Sequence, residues 1–108
     1  MAATAILVLT HLPDRDAALK LARALVTGRL AACVNVGAPV ESMYHWRGQI
    51  ETAKEVPVSI KTRAELYPRV EAAIRANHPF ELPEIVAVPL IDGLRPYLDW
   101  LVAETVAP

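Results

Sequence analysis

The stretch LAACVNVGAPVESMYHWRGQIETAKEVPVSIKTR, residues 30–63, decides the fold of this chain. Two strand-like arms flank Arg47 and Gly48, which we interpret as a tight turn because glycine tolerates a positive φ. The returning arm alternates from Val56 to Ile60, with every second residue apolar. Both arms exceed the usual strand length of about 5–6 residues. The sequence therefore predicts a long β-hairpin that one small domain can hardly cover.

The outgoing arm contains a break at residues 37–39, and the pairing register explains it. If the turn is at 47 and 48, residues whose numbers add up to the same total face each other, as Tyr44 and Glu51 do. Without a shift, Val34 and Val36 would share a face with polar residues of the returning arm. A bulge shifts the pairing by one residue and moves both valines to the apolar face. We therefore predict a bulge or bend at residues 37–39.

The segment before the hairpin has the pattern of a strand followed by a helix. Residues 4–10 form a short, continuous apolar run, which predicts a strand buried on both faces. Asp14 is a good N-cap for a helix that runs to about Thr27. Gly28 is expected at the C′ position that ends this helix.

The segment after the hairpin has the pattern of helix, strand and helix. A helix after Arg63 accommodates Pro68 in its first turn and ends near Asn77. A strand follows over residues 84–91, and its proline indicates an edge or irregular position. A last helix begins near Pro96. The order is βαββαβ with an added C-terminal helix, which predicts a single ferredoxin-like α+β domain over residues 1–108.

The composition indicates self-association. Hydrophobic residues make up 54% of the 108 residues, and mean hydropathy is +0.29. A chain of this size has a modest core, so much of this apolar surface needs another partner. An oligomer is the simplest solution, although a well-filled, alanine-rich monomer is the alternative.

Charge and cysteine content exclude several classes. The net charge is −1 and the sequence contains no basic stripe, so nothing supports a nucleic-acid partner. The apolar run near the N-terminus is too short to span a bilayer, so no membrane association is expected. The single cysteine, Cys33, fits a reducing compartment, and we expect a cytoplasmic protein.

Three groups of residues could carry chemistry, each with a plain structural alternative. Cys33 is either a buried structural thiol or a ligand. The loop after Asn77 could gather His78, Glu81 and Glu84 for a divalent metal, or its two prolines could merely shape a turn. His11 is taken as an ordinary polar residue.

The third group lies at the hairpin. Tyr44, Trp46 and Glu51 could line a binding cleft or simply pack across the hairpin. Lys61 either faces solvent or lines the same cleft. No nucleophile paired with a base is evident, so no catalytic residue is assigned and no enzyme is expected.

Five blocks of sequence together resemble one known family. They are LAACVNV at 30–36, SMYHWRGQIE at 42–51, EVPVSIKT at 55–62, HPFELPEIVAVPL at 78–90 and YLDWL at 97–101. Their order and spacing over nearly the whole chain are similar to those of the CutA family of divalent-cation tolerance proteins.

This resemblance implies a ferredoxin-like homotrimer with an assembly similar to that of PII signalling proteins, clefts between subunits and copper binding in some members. Cys33 and His78 match the family's cysteine and histidine, and Phe80 stands where a tyrosine is common. Thr10 and Asn77 stand where copper-binding relatives can have further soft ligands. Tyr44, Trp46, Glu51 and Lys61 match positions that line the inter-subunit cleft.

The resulting expectation is a trimeric metal-response protein that binds Cu²⁺ or another divalent cation weakly through His78, Cys33 and Glu81, without an organic cofactor. A PII-like sensor of a small ligand, in the cleft between subunits, is one alternative. A structural oligomer that presents surfaces to other proteins is another.

Overall fold

The computed structural model describes residues 5–107. The strands are β1 (Ala5–Leu12), β2 (Cys33–Val36), β3 (Val40–Trp46), β4 (Gln49–Arg63) and β5 (Ile85–Pro89). The helices are α1 (Arg15–Thr27), α2 (Tyr67–Ala76) and α3 (Arg95–Ala103), and a 3₁₀ turn (Ala64–Leu66) precedes α2.

The strands form one antiparallel sheet in the order β2-β4-β1-β5, and β3 continues the pairing along β4. β1 and β2 are therefore separated by β4, as the split βαβ arrangement requires. This confirms the predicted ferredoxin-like α+β fold with a long hairpin and an added C-terminal helix. β5 is an edge strand and ends at Pro89, which agrees with the position that its proline indicated.

The hairpin has the two registers that the sequence predicted. Tyr44 faces Glu51 in the β3–β4 pair, whereas Val36 faces Val58 in the β2–β4 pair, so the pairing shifts by one residue between them. At the shift, the Gly37 N–H donates to the Pro57 carbonyl at 2.9 Å. The predicted bulge at residues 37–39 is confirmed.

The turn of the hairpin is at the expected place. Arg47 has φ 50° and Gly48 has φ 79°. Two consecutive positive φ values are typical of a type I′ turn, which matches the twist of the flanking strands.

Helices α1 and α2 cover one face of the sheet and form the core with it. The side chains buried there include Val8, Leu21, Ile60, Val70 and Ile74, each 0% exposed. In β1, alternate residues are buried, while those between them, such as Leu7, are half-buried. The prediction that this strand is buried on both faces is therefore wrong, because α1 and α2 both pack on the same face. Residue 4 of the predicted strand lies outside the described residues.

The ends of α1 are set by Asp14 and Arg29. The Asp14 Oδ1 accepts a hydrogen bond from the Ala17 N–H at 2.8 Å, which confirms the N-cap. Gly28 has φ −79°, so it is not the left-handed C′ residue. Arg29 takes that role, with φ 56° and a hydrogen bond from its N–H to the Val26 carbonyl at 3.1 Å. The predicted position is wrong by one residue because the chain keeps near-helical dihedrals through the glycine.

Helix α3 is held by few buried contacts. Leu101 is fully buried, whereas Trp100 is 43% exposed and stacks on Tyr97 with ring centroids 5.4 Å apart. The buried Arg63 side chain donates to the Thr105 hydroxyl at 2.9 Å and ties the residues after α3 to the end of β4. One side of α3 therefore stays accessible in the single chain.

Among the described residues, no helix combines the length and the apolar composition needed to cross a membrane.

Candidate functional site

A groove of about 700 Å³ lies between the hairpin and the loop that follows α2. The lining residues are Ser42, Met43, Tyr44, His45, Trp46, Glu51, Glu55, Pro79, Phe80, Glu81, Leu82, Pro83 and Glu84. We call this cavity the hairpin groove and residues 78–84 the groove loop.

The hairpin supplies one wall through its alternation. Tyr44 faces Glu51, and Trp46 faces Gln49, so side chains two apart on β3 share a face with the odd-numbered residues of β4. Met43 and Ile50 belong to the opposite face of the hairpin and are 74% and 66% exposed, although Met43 still borders the groove. Period-two geometry thus gathers the aromatic and acidic side chains on the groove side.

His78 anchors the groove loop to β1. Its Nε2 lies 2.6 Å from the His11 carbonyl oxygen, and its Nδ1 accepts from the Phe80 N–H at 3.2 Å. Because a carbonyl can only accept and an N–H can only donate, these partners select the neutral ring with the proton on Nε2. The tilted Phe80 ring packs 4.7 Å from the imidazole, centroid to centroid. Both ring nitrogens of His78 are thus occupied.

Arg47 connects the tip of the hairpin to the groove loop. Its Nη2 donates to the Glu81 Oε2 at 2.9 Å, and its guanidinium carbon lies 5.4 Å from the centroid of the Trp46 ring. Both partners of the ion pair are exposed, at 72% and 71% of their side-chain areas. An exposed pair of this kind contributes about 0–1 kcal/mol, so the connection is easily opened.

His11 and Glu84 meet at the other end of the groove loop. The His11 Nδ1 lies 3.3 Å from the Glu84 Oε1, and this buried nitrogen has no partner with hydrogen-bond geometry among residues 5–107. An imidazole nitrogen and a carboxylate oxygen are both ligands that divalent transition metals accept. The His11–Glu84 pair therefore provides two potential metal-ligand atoms close together.

The residues predicted as metal ligands are spread over two places. His78 and Glu81 are both on the groove loop, where Glu81 binds Arg47. Cys33 lies on β2, opposite Lys61, with its Sγ 3.8 Å from the Asn35 Oδ1. Within the part of the chain that the structure describes, no three His, Cys, Asp or Glu side chains are close enough to hold a metal ion together. The single chain therefore does not bring Cys33 to the other two.

The predicted cleft residues divide in the same way. Tyr44, Trp46 and Glu51 line the hairpin groove. Lys61 shares a face of β4 with Glu51 but lies ten residues further along, about 33 Å of extended strand. Its Nζ donates to the Asn35 Oδ1 at 3.0 Å. A lysine of a second copy would be needed to complete the predicted cleft.

Sequence reasoning missed two functional candidates. Arg47 is indeed a turn residue, with φ 50°, and its side-chain contacts to Glu81 and Trp46 are long-range or tip contacts that no local pattern indicates. His11 was set aside because nothing local distinguishes it. Its partner Glu84 is far away in sequence, and the contact arises from the end of β1 facing the groove loop.

The architecture and the groove define a class of protein: a small ferredoxin-like α+β protein with a projecting hairpin. The model of the CutA1 divalent ion tolerance protein family matches residues 6–104. The chain belongs to this family of CutA divalent-cation tolerance proteins.

Individual relatives agree with this assignment. The divalent-cation tolerance protein CutA of Thermus thermophilus is 42% identical over 94 residues, which are 87% of this chain and 91% of the relative. The human protein CutA is 43% identical over 89 residues, which are 82% of this chain but 50% of the relative. The chain thus spans about half the length of the human protein.

Solved structures of the family superpose closely on the fold. The Cut A1 structure from Thermus thermophilus has a TM-score of 0.92 at 39% identity and covers 94% of this chain and 99% of its own. The structure of CutA1 from Oryza sativa has a TM-score of 0.95 at 35% identity, with 98% and 97% covered.

Proposed function

We propose that this protein acts in divalent-cation tolerance as a homotrimer that binds a divalent metal such as copper weakly. The observation that carries the metal part is the convergence of the His11 Nδ1 and the Glu84 Oε1 at 3.3 Å, with the nitrogen buried and without a hydrogen bond in the described part of the chain. A cation there would use these two donors and complete its shell with water or with donors from a second copy. Family membership gives the physiological context.

The other predicted ligands fit this site poorly within one chain. His78 has both ring nitrogens engaged, and Cys33 lies on a different part of the sheet. Metal binding through His78 would first have to break its hydrogen bond from Phe80. A site with two available donor atoms, and a third from His78 only after a hydrogen bond breaks, binds a metal weakly. The reason is that affinity depends on the number and preorganisation of the ligands.

Calorimetric titration with Cu²⁺ tests the site. We expect Glu84→Gln to lower the apparent affinity by about tenfold or more, which is the scale of losing a group at a metal site. Glu41→Gln is the matched control, since Glu41 is an exposed carboxylate on β3 and does not line the groove. Equal isotherms for wild type and Glu84→Gln would exclude the pair as the site. His78→Ala and Cys33→Ala show whether either residue joins it.

The trimer part is supported by apolar side chains that the single chain leaves uncovered. On β5, Val86 and Val88 are 49% and 43% exposed, and on the hairpin Met43 and Ile50 are more exposed still. Among the described strands, β3 pairs only with β4 and β5 pairs only with β1, so both carry a free edge. Free strand edges beside apolar side chains are the surfaces that a second copy covers most readily.

Sedimentation equilibrium tests the assembly. Three chains of 11.8 kDa give about 35 kDa, and that mass should persist on dilution. A mass of about 11.8 kDa at micromolar concentration would refute the trimer but would leave the metal proposal unaffected. We also propose a cytoplasmic location, because Cys33 is a free thiol; cell fractionation tests it.

A further inference from the structure

We propose that the hairpin groove binds a small organic cation, an ammonium or guanidinium group carried on an apolar body. This inference goes beyond the proposed metal function and does not depend on it. It follows from the charge of the groove, from its aromatic walls and from the position of Arg47.

The charge of the groove is negative. Four carboxylates line it, on Glu51, Glu55, Glu81 and Glu84. The guanidinium of Arg47, which is not one of the lining residues, pairs with Glu81 and offsets its charge. Within one chain, Lys61 lies ten residues along β4 from Glu51 and donates to Asn35, so it adds no positive charge to the groove. A cation is therefore the complementary charge for this cavity.

The walls suit a cation with an apolar body. Tyr44 and Trp46 come from the hairpin, and Phe80 comes from the groove loop. Aromatic faces attract ammonium and guanidinium groups through their quadrupole, and Trp does so best. The volume of about 700 Å³ lies within the range of small-molecule sites, about 300–1,000 Å³.

Arg47 shows how such a group is held. Its guanidinium already lies 5.4 Å from the Trp46 centroid while it donates to Glu81 at 2.9 Å. An aromatic face and a carboxylate thus bind a cation from the chain itself at the edge of the groove. Because this pair is largely exposed and weak, an incoming cation can take over the same two partners. Arg47 then competes with the ligand for Trp46 and Glu81.

The test uses three probes of similar size and different charge in calorimetric titrations of the assembled wild-type protein. They are 2-phenylethylguanidinium, the neutral 3-phenylpropanamide and the anionic 3-phenylpropionate. We expect the cation to bind about tenfold more tightly than the neutral probe, the scale of one desolvated cation–π contact, and the anion to bind weakest. A ranking with the anion first, or no binding of the cation at millimolar concentration, would overturn the proposal.

Two variants with opposite expected signs sharpen the test. Glu51→Gln removes a groove carboxylate and should weaken binding of the cation about threefold to tenfold, whereas Glu41→Gln, outside the groove, should leave it unchanged. Arg47→Gln frees Trp46 and Glu81 and should strengthen binding about threefold. Weaker binding by Arg47→Gln would show that the arginine does not compete and would refute the mechanism.

The metal proposal and the organic-cation proposal are tested by independent results. The Arg47→Gln variant should leave the Cu²⁺ isotherm unchanged, because the His11–Glu84 pair does not include Arg47. Loss of copper binding in Glu84→Gln, in turn, says nothing about the ranking of the three organic probes.

Discussion

Strand β4 passes through two different environments, and comparing them explains the design of the molecule. Residues 56–63, which we call the covered half, run between β2 and β1 under the helices, and there Val58 and Ile60 are 1% and 0% exposed. Residues 49–55, the projecting half, pair with β3 alone among the described strands, and Ile50 is 66% exposed.

The two halves differ in their neighbours more than in their residue types. Both contain β-branched residues and both keep regular antiparallel pairing. The covered half buries its apolar side chains because α1 and α2 pack on them, whereas no residue of 49–55 belongs to the core cluster of the described chain. β-propensity alone therefore did not decide burial. The projecting half is therefore free to form one wall of the hairpin groove.

The largest expected effect comes from truncating one isoleucine in each half. Ile60→Ala should lower the free energy of unfolding by about 2–5 kcal/mol at any protein concentration, since it leaves a cavity in the core. Ile50→Ala should change the folding of a single chain by about 0.5 kcal/mol or less, as is usual at exposed positions. Denaturant titrations at several protein concentrations separate these effects.

The concentration series also tests the role of the projecting half. If Ile50 contacts a second copy, Ile50→Ala weakens the assembly, so its loss of stability is largest at concentrations where the wild type is assembled and shrinks on dilution. An equal loss for both variants at all concentrations would show that the projecting half belongs to the same core and would break the comparison.

The junction between the halves should be the next most sensitive point. A Cβ at Gly37 would lie 3.0 Å from the Pro57 Cγ, and the Gly37 N–H is already bonded to the Pro57 carbonyl. Gly37→Ala should therefore cost about 1–3 kcal/mol, the scale of overpacking a tight site. Thermal unfolding measures the loss. A neutral result would mean that the bulge can open without disturbing the covered half.

The tip of the projecting half should be less sensitive, and for a different reason. Gly48 has φ 79°, but a Cβ there would meet no described atom within 4 Å. Gly48→Ala should cost about 1 kcal/mol through its backbone alone. Amide exchange should show faster opening of residues near the turn while the covered half stays protected; uniform loss would contradict this separation.

The sequence predicted the fold well in the hairpin, where the period-two pattern is compatible with only one way of pairing the strands. The alternation from Val56 to Ile60 and the break at residues 37–39 together determined both registers of the hairpin, because a one-residue slip would have turned the valines outward. The end of α1 was less predictable. Gly28 and Arg29 are adjacent, and a preference for glycine could not show that the left-handed conformation falls on the arginine.

The candidate site was predictable only in part. Tyr44, Trp46 and Glu51 were found together because the hairpin register places them on one face. The groove loop was recognised from its prolines, but its attachment through His78 to the His11 carbonyl depends on how α2 delivers the loop to the end of β1. Long-range contacts of this kind leave no local pattern. Lys61 was assigned to the cleft because it shares a face of β4 with Glu51. The ten residues between them keep the two side chains far apart within one chain.

The smallest expected effect concerns Tyr67, the first residue of helix α2, which packs on the covered half of β4. Burial, together with Glu71, whose carboxylate lies 3.2 Å from the hydroxyl, raises the pKa of Tyr67 above 10.0. The folded state therefore holds this proton more tightly than the unfolded state, and its contribution to stability is complete below pH 10 and lost as the pH rises through the folded pKa. Unfolding titrations from about pH 8 to 11 should show a steeper loss above about pH 10 for the wild type than for Tyr67→Phe. Glu71→Gln should reduce the difference between the two slopes without abolishing it, because burial, the larger cause, remains. Equal slopes for wild type and Tyr67→Phe would contradict a raised pKa of the Tyr67 hydroxyl.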